Sequence, residues 1–490
     1  MSKILDLAKN TPVLDVSNVI FPSQTKQKNV EILAKLEFLN PGGSIKDRVA
    51  NSIVAELEKR GDLKSKKKIV AITSGNLGTS LSIGLSNRNH ESQLICIVPE
   101  KASSEKIQLL KSGGIDEIIR TLDMAHPASD ESSKGVARNI VKNSVDPNSV
   151  LVIDEENKEW NLDTCYAEMA NEIFNQCSGS LDSIFIPVQS GNAITLISKA
   201  LKPKIPNLEV IGVEPVGSVF SGISCGTKVI PEKWFAEDYG NLYLPPTLDL
   251  SVVDKWIQVS DQNAYCMARE LIKNGIHAGV SSGAVSYAAK SYYADNVDSK
   301  PHRSVIILCD SARFYTSTLM NDEYMLNSGL ADFELNSRLY RKLVDQYRAA
   351  SIEDLQLPAA VAIHESSPLS YALELMMERD FSQVPVTTAN RKLVGFISKT
   401  HIENLLVSGE ASPESPITDY MHKFVDTSVK GLGKSSYKLI TPETPLVDLA
   451  KFFESHSVAF VTDTSRRFCL GVVTKNDLLQ FIERRGFRNY

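Results

Sequence analysis

Between residues 30 and 320 the chain alternates between two periodicities, and that alternation restricts its fold more than any other feature. Runs of consecutive apolar, β-branched residues recur as "KKIVAI" (67–72), "QLICIVP" (93–99), "SVLVID" (149–154), "SIFIPV" (183–188), "EVIGVEP" (209–215) and "RSVIILCD" (303–310). Between them lie stretches such as "VANSIVAELEKRG" (49–61) and "EKIQLLKSGG" (105–114), with apolar residues at helical spacing and glycine at the end. Strands without polar alternation are buried on both faces, so the pattern predicts a doubly wound α/β core with mainly parallel sheets. In such sheets ligands bind where strand carboxyl ends lead into helix N-termini.

Beyond residue 330 the pattern changes. At 490 residues the chain is too long for one core. Residues 331–350 read as a polar helical linker after a first domain spanning 1–330. A repeat follows: "FSQVPVTTANRKLVGFISKTHIENLL" (381–406) matches "SVAFVTDTSRRFCLGVVTKNDLLQFI" (457–482), with Gly395 falling on Gly471. Each copy reads strand, turn, strand, helix after an amphipathic helix. Two copies, assigned to 351–410 and 411–490, are too few for a solenoid and form one paired domain.

The net charge of −6 gives no electrostatic case for nucleic acid or an anionic membrane, and the lysine run at 64–68 reads as a solvated helix end. Seven scattered cysteines contain no C-x-x-C pair, as expected of reduced thiols. The eight histidines form no metal-spaced cluster with them, so no metal is expected. The N-terminal stretch lacks the apolar core of a signal peptide, and no run approaches the roughly 18 apolar residues that span a bilayer. The expectation is a cytoplasmic protein without a membrane partner.

Four loops at strand-to-helix junctions combine the residue types of a binding site. "NPGGSIKDR" (40–48) sets Lys46 on the opening turn of a helix behind Gly42 and Gly43. A cation there opposes the helix dipole, so a solvated surface lysine is a poor explanation. "AITSGNLG" (71–78) places Thr73, Ser74, Gly75 and Asn76 where backbone N–H groups and hydroxyls suit a carboxylate or phosphate. "PVQSGNAIT" (187–195) repeats that design, and "LCDSAR" (308–313) ends the last strand at Ser311. Taken singly, Ser-Gly-Asn is an ordinary turn composition and Ser311 a simple N-cap.

In order, "NTPVLDV", "KLEFLNPGGSIKDR", "TSGN", "VIGVEPVGS", "PPTLDLSVVDKW" and "DSARFYTSTLMNDEYML" resemble the cystathionine β-synthase and cysteine synthase family of fold-type-II pyridoxal-phosphate (PLP) enzymes. The fold implied is the tryptophan-synthase-β-like core over residues 5–325, and the repeat resembles a C-terminal pair of CBS domains. By resemblance, Lys46 is the catalytic residue and the covalent anchor of PLP. Asn76 meets the phenolic oxygen of PLP and Ser311 faces its pyridine nitrogen. Gln189, Ser190, Gly191, Asn192 and Ala193 hold the phosphate, and Thr73, Ser74 and Gly75 take the substrate α-carboxylate. The reaction implied is β-replacement through an aminoacrylate, joining L-serine and L-homocysteine to cystathionine and water, as in transsulfuration and cysteine biosynthesis. The family also implies a homodimer or higher homo-oligomer.

The sequence departs from the family pattern near this pocket. Gln189 to Ala193 replace Gly-Thr-Gly-Gly-Thr, with Asn192 expected to supply a left-handed residue. Leu77 replaces a threonine, Glu155 a glutamine and Asn241 a tyrosine, and Val280 interrupts a glycine–serine run. No extension carrying heme ligands is seen, so heme is not expected. In the tail, Thr474 and Asp477 have the T-x-x-D arrangement of an adenosyl-binding CBS motif; Ser398 and His401 hold those positions in the first copy. Helix capping explains Asp477 equally well. Two other readings stand beside the leading one: a cysteine synthase or serine dehydratase with the same tail, and a catalytically impaired homologue acting as a regulatory or binding protein.

Overall fold

The computed structural model describes residues 4–22, 29–86, 88, 91–295, 301–338, 350–379, 381–424, 440–453, 456, 458–465 and 467–484. The chain divides into two units, Met1–Asp332 and Phe333–Tyr490.

The first unit is built on two sheets. The larger has six strands in the order Val13–Asp15, Val30–Leu36, His302–Leu308, Ser183–Pro187, Glu209–Pro215 and Lys255–Val259. Only the first pair is antiparallel. The smaller has four parallel strands in the order Glu117–Thr121, Gln93–Pro99, Lys68–Ile72 and Val150–Ile153. All six expected strands are present, and helices Lys46–Arg60 and Ser104–Ser112 occupy the expected helical stretches.

Strands Val30–Leu36, Lys255–Val259 and Glu117–Thr121 do not read as continuous apolar runs. The first carries Lys35 near its end, whereas the other two are sheet edges with partly exposed side chains. Burying Ile69, Cys96, Ile153, Ile184 and Val305 against Val49, Ile53, Leu77 and Leu81 joins strands from both sheets in one core cluster. At about 2 kcal/mol for each buried aliphatic side chain, such contacts are the main term holding the sheets to their helices.

Register decides where the loops meet. Val30–Leu36 pairs in parallel with His302–Leu308, with Leu308 opposite Leu36. The two segments that leave these strands therefore run side by side: Ile45 N–H donates to the Cys309 carbonyl (2.8 Å) and Ser311 N–H to the Gly43 carbonyl (3.0 Å). In the other sheet, the register of Lys68–Ile72 with Gln93–Pro99 and Val150–Ile153 likewise brings the 73–76 and 154–156 turns out on one edge.

A buried ion network ties helix Lys46–Arg60 to helix Asp163–Gln176. Arg48 donates to Glu172 (2.8 and 2.8 Å) and to Glu37 (2.8 and 2.9 Å), and Lys35 Nζ donates to Glu172 at 2.7 Å. Asn10 N–H adds a further bond to Glu172 at 2.8 Å.

In the second unit, the two repeats share a hairpin. Strands Gln383–Thr387 and Leu393–Ser398 pair antiparallel, as do Val458–Thr462 and Cys469–Thr474. The register slips at Val386/Thr387 in one and at Val461/Thr462 in the other, opposite the matched Gly395 and Gly471. Each hairpin leads into a helix, Lys399–Ser408 or Lys475–Arg484. Each has its own apolar core, one around Met376, Val384 and Ile397, the other around Leu449, Val461 and Val473. Of the expected linker, residues 339–349 lie outside the described residues, as do residues 425–439 of the second copy. No helix among the described residues is long and apolar enough to cross a membrane.

Burial pushes the Glu172 carboxyl up, but the bonds from Arg48, Lys35 and the Asn10 amide outweigh it and bring the pKa down from 4.5 to about 2. A depressed carboxylate stabilises the fold fully above its unfolded value and loses that contribution as pH falls through its folded value. A carboxyl held that far below its ordinary value contributes about 3 kcal/mol to folding, and Glu172 loses this between pH 4.5 and 2. Glu172→Gln should lower unfolding stability at neutral pH by about 3–5 kcal/mol, because Arg48 and Lys35 remain buried without their shared partner. Denaturant unfolding of both proteins across that pH range checks this: their stabilities should converge as the pH drops.

Candidate functional site

Lys46 is the first residue of helix Lys46–Arg60; its N-cap position, Ile45, offers no side-chain acceptor, and the Lys46 N–H donates to Ser44 Oγ at 3.2 Å. The two glycines before it are set by close packing. Gly42 N–H donates to Asp47 Oδ2 at 2.6 Å, and a Cβ on Gly42 would lie 2.2 Å from Asp47 Oδ1. Gly43 has φ +90°, and Arg313 reaches over it to donate to the Gly42 carbonyl. A side chain at either position would meet Asp47 or Arg313.

Lys46 Nζ donates to both carboxylate oxygens of Glu155, at 2.7 and 2.6 Å, with the two side chains 12% and 13% exposed. The Glu155 backbone carbonyl in turn accepts Asn192 Nδ2 at 2.6 Å. One residue therefore links the lysine to the start of helix Asn192–Leu201, which lacks a side-chain cap. Its first N–H groups have no partner within the helix. The left-handed residue before it is Gly191 (φ 82°) and not Asn192, which is already helical. The difference is steric, since an L residue avoids that conformation and the glycine is available one position earlier. Ser190 offers its carbonyl to Thr247. Gln189 and Ala193 are half-buried beside the same turn.

Across the site, the 73–76 turn closes on itself and on a buried acid cluster. Thr73 Oγ1 accepts the N–H groups of Gly75 (2.9 Å) and Gly78 (3.1 Å). Ser74 Oγ donates to Asp238, and Asn76 Nδ2 donates to Asp238 Oδ2 (3.1 Å) and Asp310 Oδ2 (3.0 Å). Asn76 Oδ1 is buried with no hydrogen-bond partner, and so is Asp310 Oδ1. Lys106, fully buried, binds Glu237 at 2.9 Å, Tyr315 Oη at 3.1 Å and Asp238.

Tyr315 Oη lies 2.7 Å from Asp238 Oδ2 and 2.6 Å from Asp310 Oδ2. A single phenolic hydrogen cannot satisfy both contacts, so one carboxyl carries a proton. Asp310 is that carboxyl. Burial, reinforced by the Asp238 charge, pushes its pKa up to about 7. Lys106 goes the other way: burial opposes its charge, but Asp238 and Glu237 outweigh burial and keep it protonated.

Ser311 caps the short 3-10 turn Ala312–Tyr315 by accepting the Arg313 N–H. It is also bridged to Ala278. Asn241 Nδ2 faces Glu156, whose carboxylate takes the Tyr243 hydroxyl (2.8 and 3.0 Å) and Lys134. In the second unit Asp477 Oδ2 accepts both the Thr474 N–H (2.7 Å) and Oγ1 (2.9 Å) at the start of helix Lys475–Arg484. His401 N–H donates to Ser398 Oγ at the matching place in the first copy. Among the described residues no cluster could hold a metal ion.

The structure thus gathers Lys46, Asn76, Ser311 and the 189–193 turn on the carboxyl ends of the strands. Sequence reading missed Lys106, Glu237, Asp238, Asp310 and Tyr315. One signal was available. Lys106 sits in the first turn of a helix, the same dipole-opposed position that marked Lys46.

Residues 4–310 match the family model described as pyridoxal-phosphate dependent enzyme. The chain belongs to that family. Residues 352–408 and 429–484 each match the CBS domain. A protein named cystathionine beta-synthase from Dictyostelium discoideum is 32% identical over 490 residues, covering 100% of this chain and 94% of the relative. One of the same name from Saccharomyces cerevisiae is 30% identical, covering 98% and 97%. Among solved structures, the O-acetylserine dependent cystathionine beta-synthase from Helicobacter pylori superposes with a TM-score of 0.55 at 30% identity, covering 65% of this chain and 98% of that one.

The residues fit the cofactor that gives the pyridoxal-phosphate family its name. The uncapped start of helix Asn192–Leu201 offers amides and a dipole to a phosphate, and a lysine stands beside it through Glu155. An anchoring role for Lys46 would require the Lys46–Glu155 pair to open first. Charge-assisted hydrogen bonds are worth about 1.5–3 kcal/mol each. Glu155→Gln should therefore speed uptake of PLP by the purified protein about tenfold or more, read by absorbance after mixing; an unchanged rate would show that the pair imposes no barrier.

Proposed function

We propose that the chain is a cystathionine β-synthase-type lyase that uses PLP to join L-serine and L-homocysteine, releasing water. The observation that carries this reading is the meeting of Lys46, through Glu155, with the uncapped helix at 190–193. The family membership and the full-length relatives support it.

In this reading Lys46 anchors PLP, and the amides of 189–193 hold the phosphate. Ser311 would offer the ring nitrogen a neutral hydroxyl in place of a carboxylate. When bound, PLP supplies an electron sink for the charge left on the substrate α-carbon. The chain's own groups do the remaining work. The 73–75 turn takes the α-carboxylate at the start of helix Asn76–Leu85, and the Asn76 amide orients the ring. Lys46 removes the α-proton as an amine and returns a proton as an ammonium to the departing β-hydroxyl. Glu155 positions that ammonium between the two transfers. The homocysteine thiol then adds through sulfur at the β-carbon, and its proton, taken up by the Lys46 amine, would be returned to the α-carbon.

The tail, residues 351–490, is read as a regulatory pair whose second half takes an adenosyl ligand. CBS domains commonly bind such ligands, and the Asp477 carboxylate keeps Oδ1 for a ribose. One observation favours the impaired-homologue reading as a second: both Glu155 oxygens hold Lys46, which slows any step that needs its free amine.

Incubating the PLP-supplied protein with L-serine and L-homocysteine should yield cystathionine, detected by mass spectrometry. Lys46→Ala should reduce its formation by at least about a thousandfold, the scale of losing a general acid–base together with a covalent anchor. No cystathionine from protein that carries PLP would refute the leading reading.

A further inference from the structure

The chain places one of its own carboxylates on the turn to which the proposed function assigns the substrate carboxylate. Ser74 Oγ and Asn76 Nδ2 both donate to Asp238, whose side chain is 7% exposed. Lys106, buried beneath the same turn, supplies the countercharge, and the Tyr315 hydroxyl lies 2.7 Å away. Asp238 adopts φ 64°, a left-handed conformation that non-glycine residues rarely hold and that aspartate tolerates better than most. Backbone strain at such a place marks a functional constraint. The other acids around it, Glu237 and Asp310, both have raised pKa values, burial being the main cause in each, whereas Asp238 is held ionised by Lys106, Ser74 and Tyr315 against its burial.

We propose that Asp238 is a specificity-determining residue, an internal carboxylate that competes with the α-carboxylate of an incoming amino acid for Ser74 on the 73–75 turn. The inference rests on the reading of the 73–75 turn as the carboxylate site. An α-amino acid must displace Asp238 or bring a second negative charge against it, whereas an amine of the same shape without a carboxylate meets neither obstacle. Lys106 is not stranded when Asp238 leaves, because Glu237 still pairs with it at 2.9 Å. Glycine at 238 also relieves the left-handed strain, so Asp238→Gly preserves the fold.

The test is calorimetric titration of full-length protein supplied with PLP, using L-serine and its decarboxylated counterpart ethanolamine. Like-charge juxtaposition in a buried contact costs several kcal/mol, so Asp238→Gly should bind L-serine about tenfold or more tightly than the unmodified chain, with ethanolamine affinity unchanged. Asp238→Asn, which keeps the size and removes the charge, should move in the same direction. Equal L-serine affinity in all three proteins, or an equal gain for both ligands, overturns the proposal. PLP retention, read by absorbance on the same samples, reports separately on the cofactor reading. A gain in L-serine affinity in protein without PLP sustains the role of Asp238 while refuting the enzyme.

Discussion

The parallel pairing of Val30–Leu36 with His302–Leu308 holds the site together. These strands are far apart in sequence, yet their ladder sets Leu36 level with Leu308. The loop carrying Lys46 and the segment carrying Ser311 are then locked by two backbone hydrogen bonds, from Ile45 to Cys309 and from Ser311 to Gly43. A slip of one residue would turn every side chain of the strand to the opposite face and separate these loops. Because both strands are buried among aliphatic residues, that slip is costly.

On this scaffold the electrostatics are organised around two lysines with different fates. Lys106 is fully buried and surrounded by Glu237, Asp238 and Tyr315, which keep it charged and structural. Among the described residues Lys46 pairs with one carboxylate, Glu155, and retains some exposure. A lysine that can be released by moving one side chain suits chemistry, and one caged by several does not. The Tyr315 hydroxyl bridges the two carboxyls of the acid cluster, Asp310 and Asp238. Asn76 is oriented by that cluster, with its amide nitrogen toward both carboxyls and its oxygen left without a partner.

Much of the architecture is legible in the sequence because burial on both faces writes strands as unbroken apolar runs. The strands that escaped notice are those for which that rule fails. Lys35 is hidden in its strand because Glu172 and the Thr11 carbonyl satisfy its ammonium, a pairing with residues more than twenty positions away in either direction. The loop glycines and Lys46 are legible because local composition there conflicts with ordinary helix starts. What could not be read is the identity of cross-chain partners. "AEDYG" looks like a solvated acidic turn, and only the fold brings Asp238 to Ser74, more than 160 residues earlier. Likewise, Glu155 reads as a simple substitution until its carboxylate is seen to face Lys46. The choice of Gly191 over Asn192 as the left-handed residue is a matter of one position, which composition cannot resolve.

Everything proposed for the chemistry rests on Lys46, and not the buried Lys106, being the reactive lysine of a PLP site. Borohydride reduction of the purified protein in the presence of PLP, followed by digestion and mass spectrometry, separates the two. A pyridoxyl adduct is expected on the peptide containing Lys46 and none on the peptide containing Lys106. An adduct on Lys106, or no adduct on either peptide, would refute the assignment.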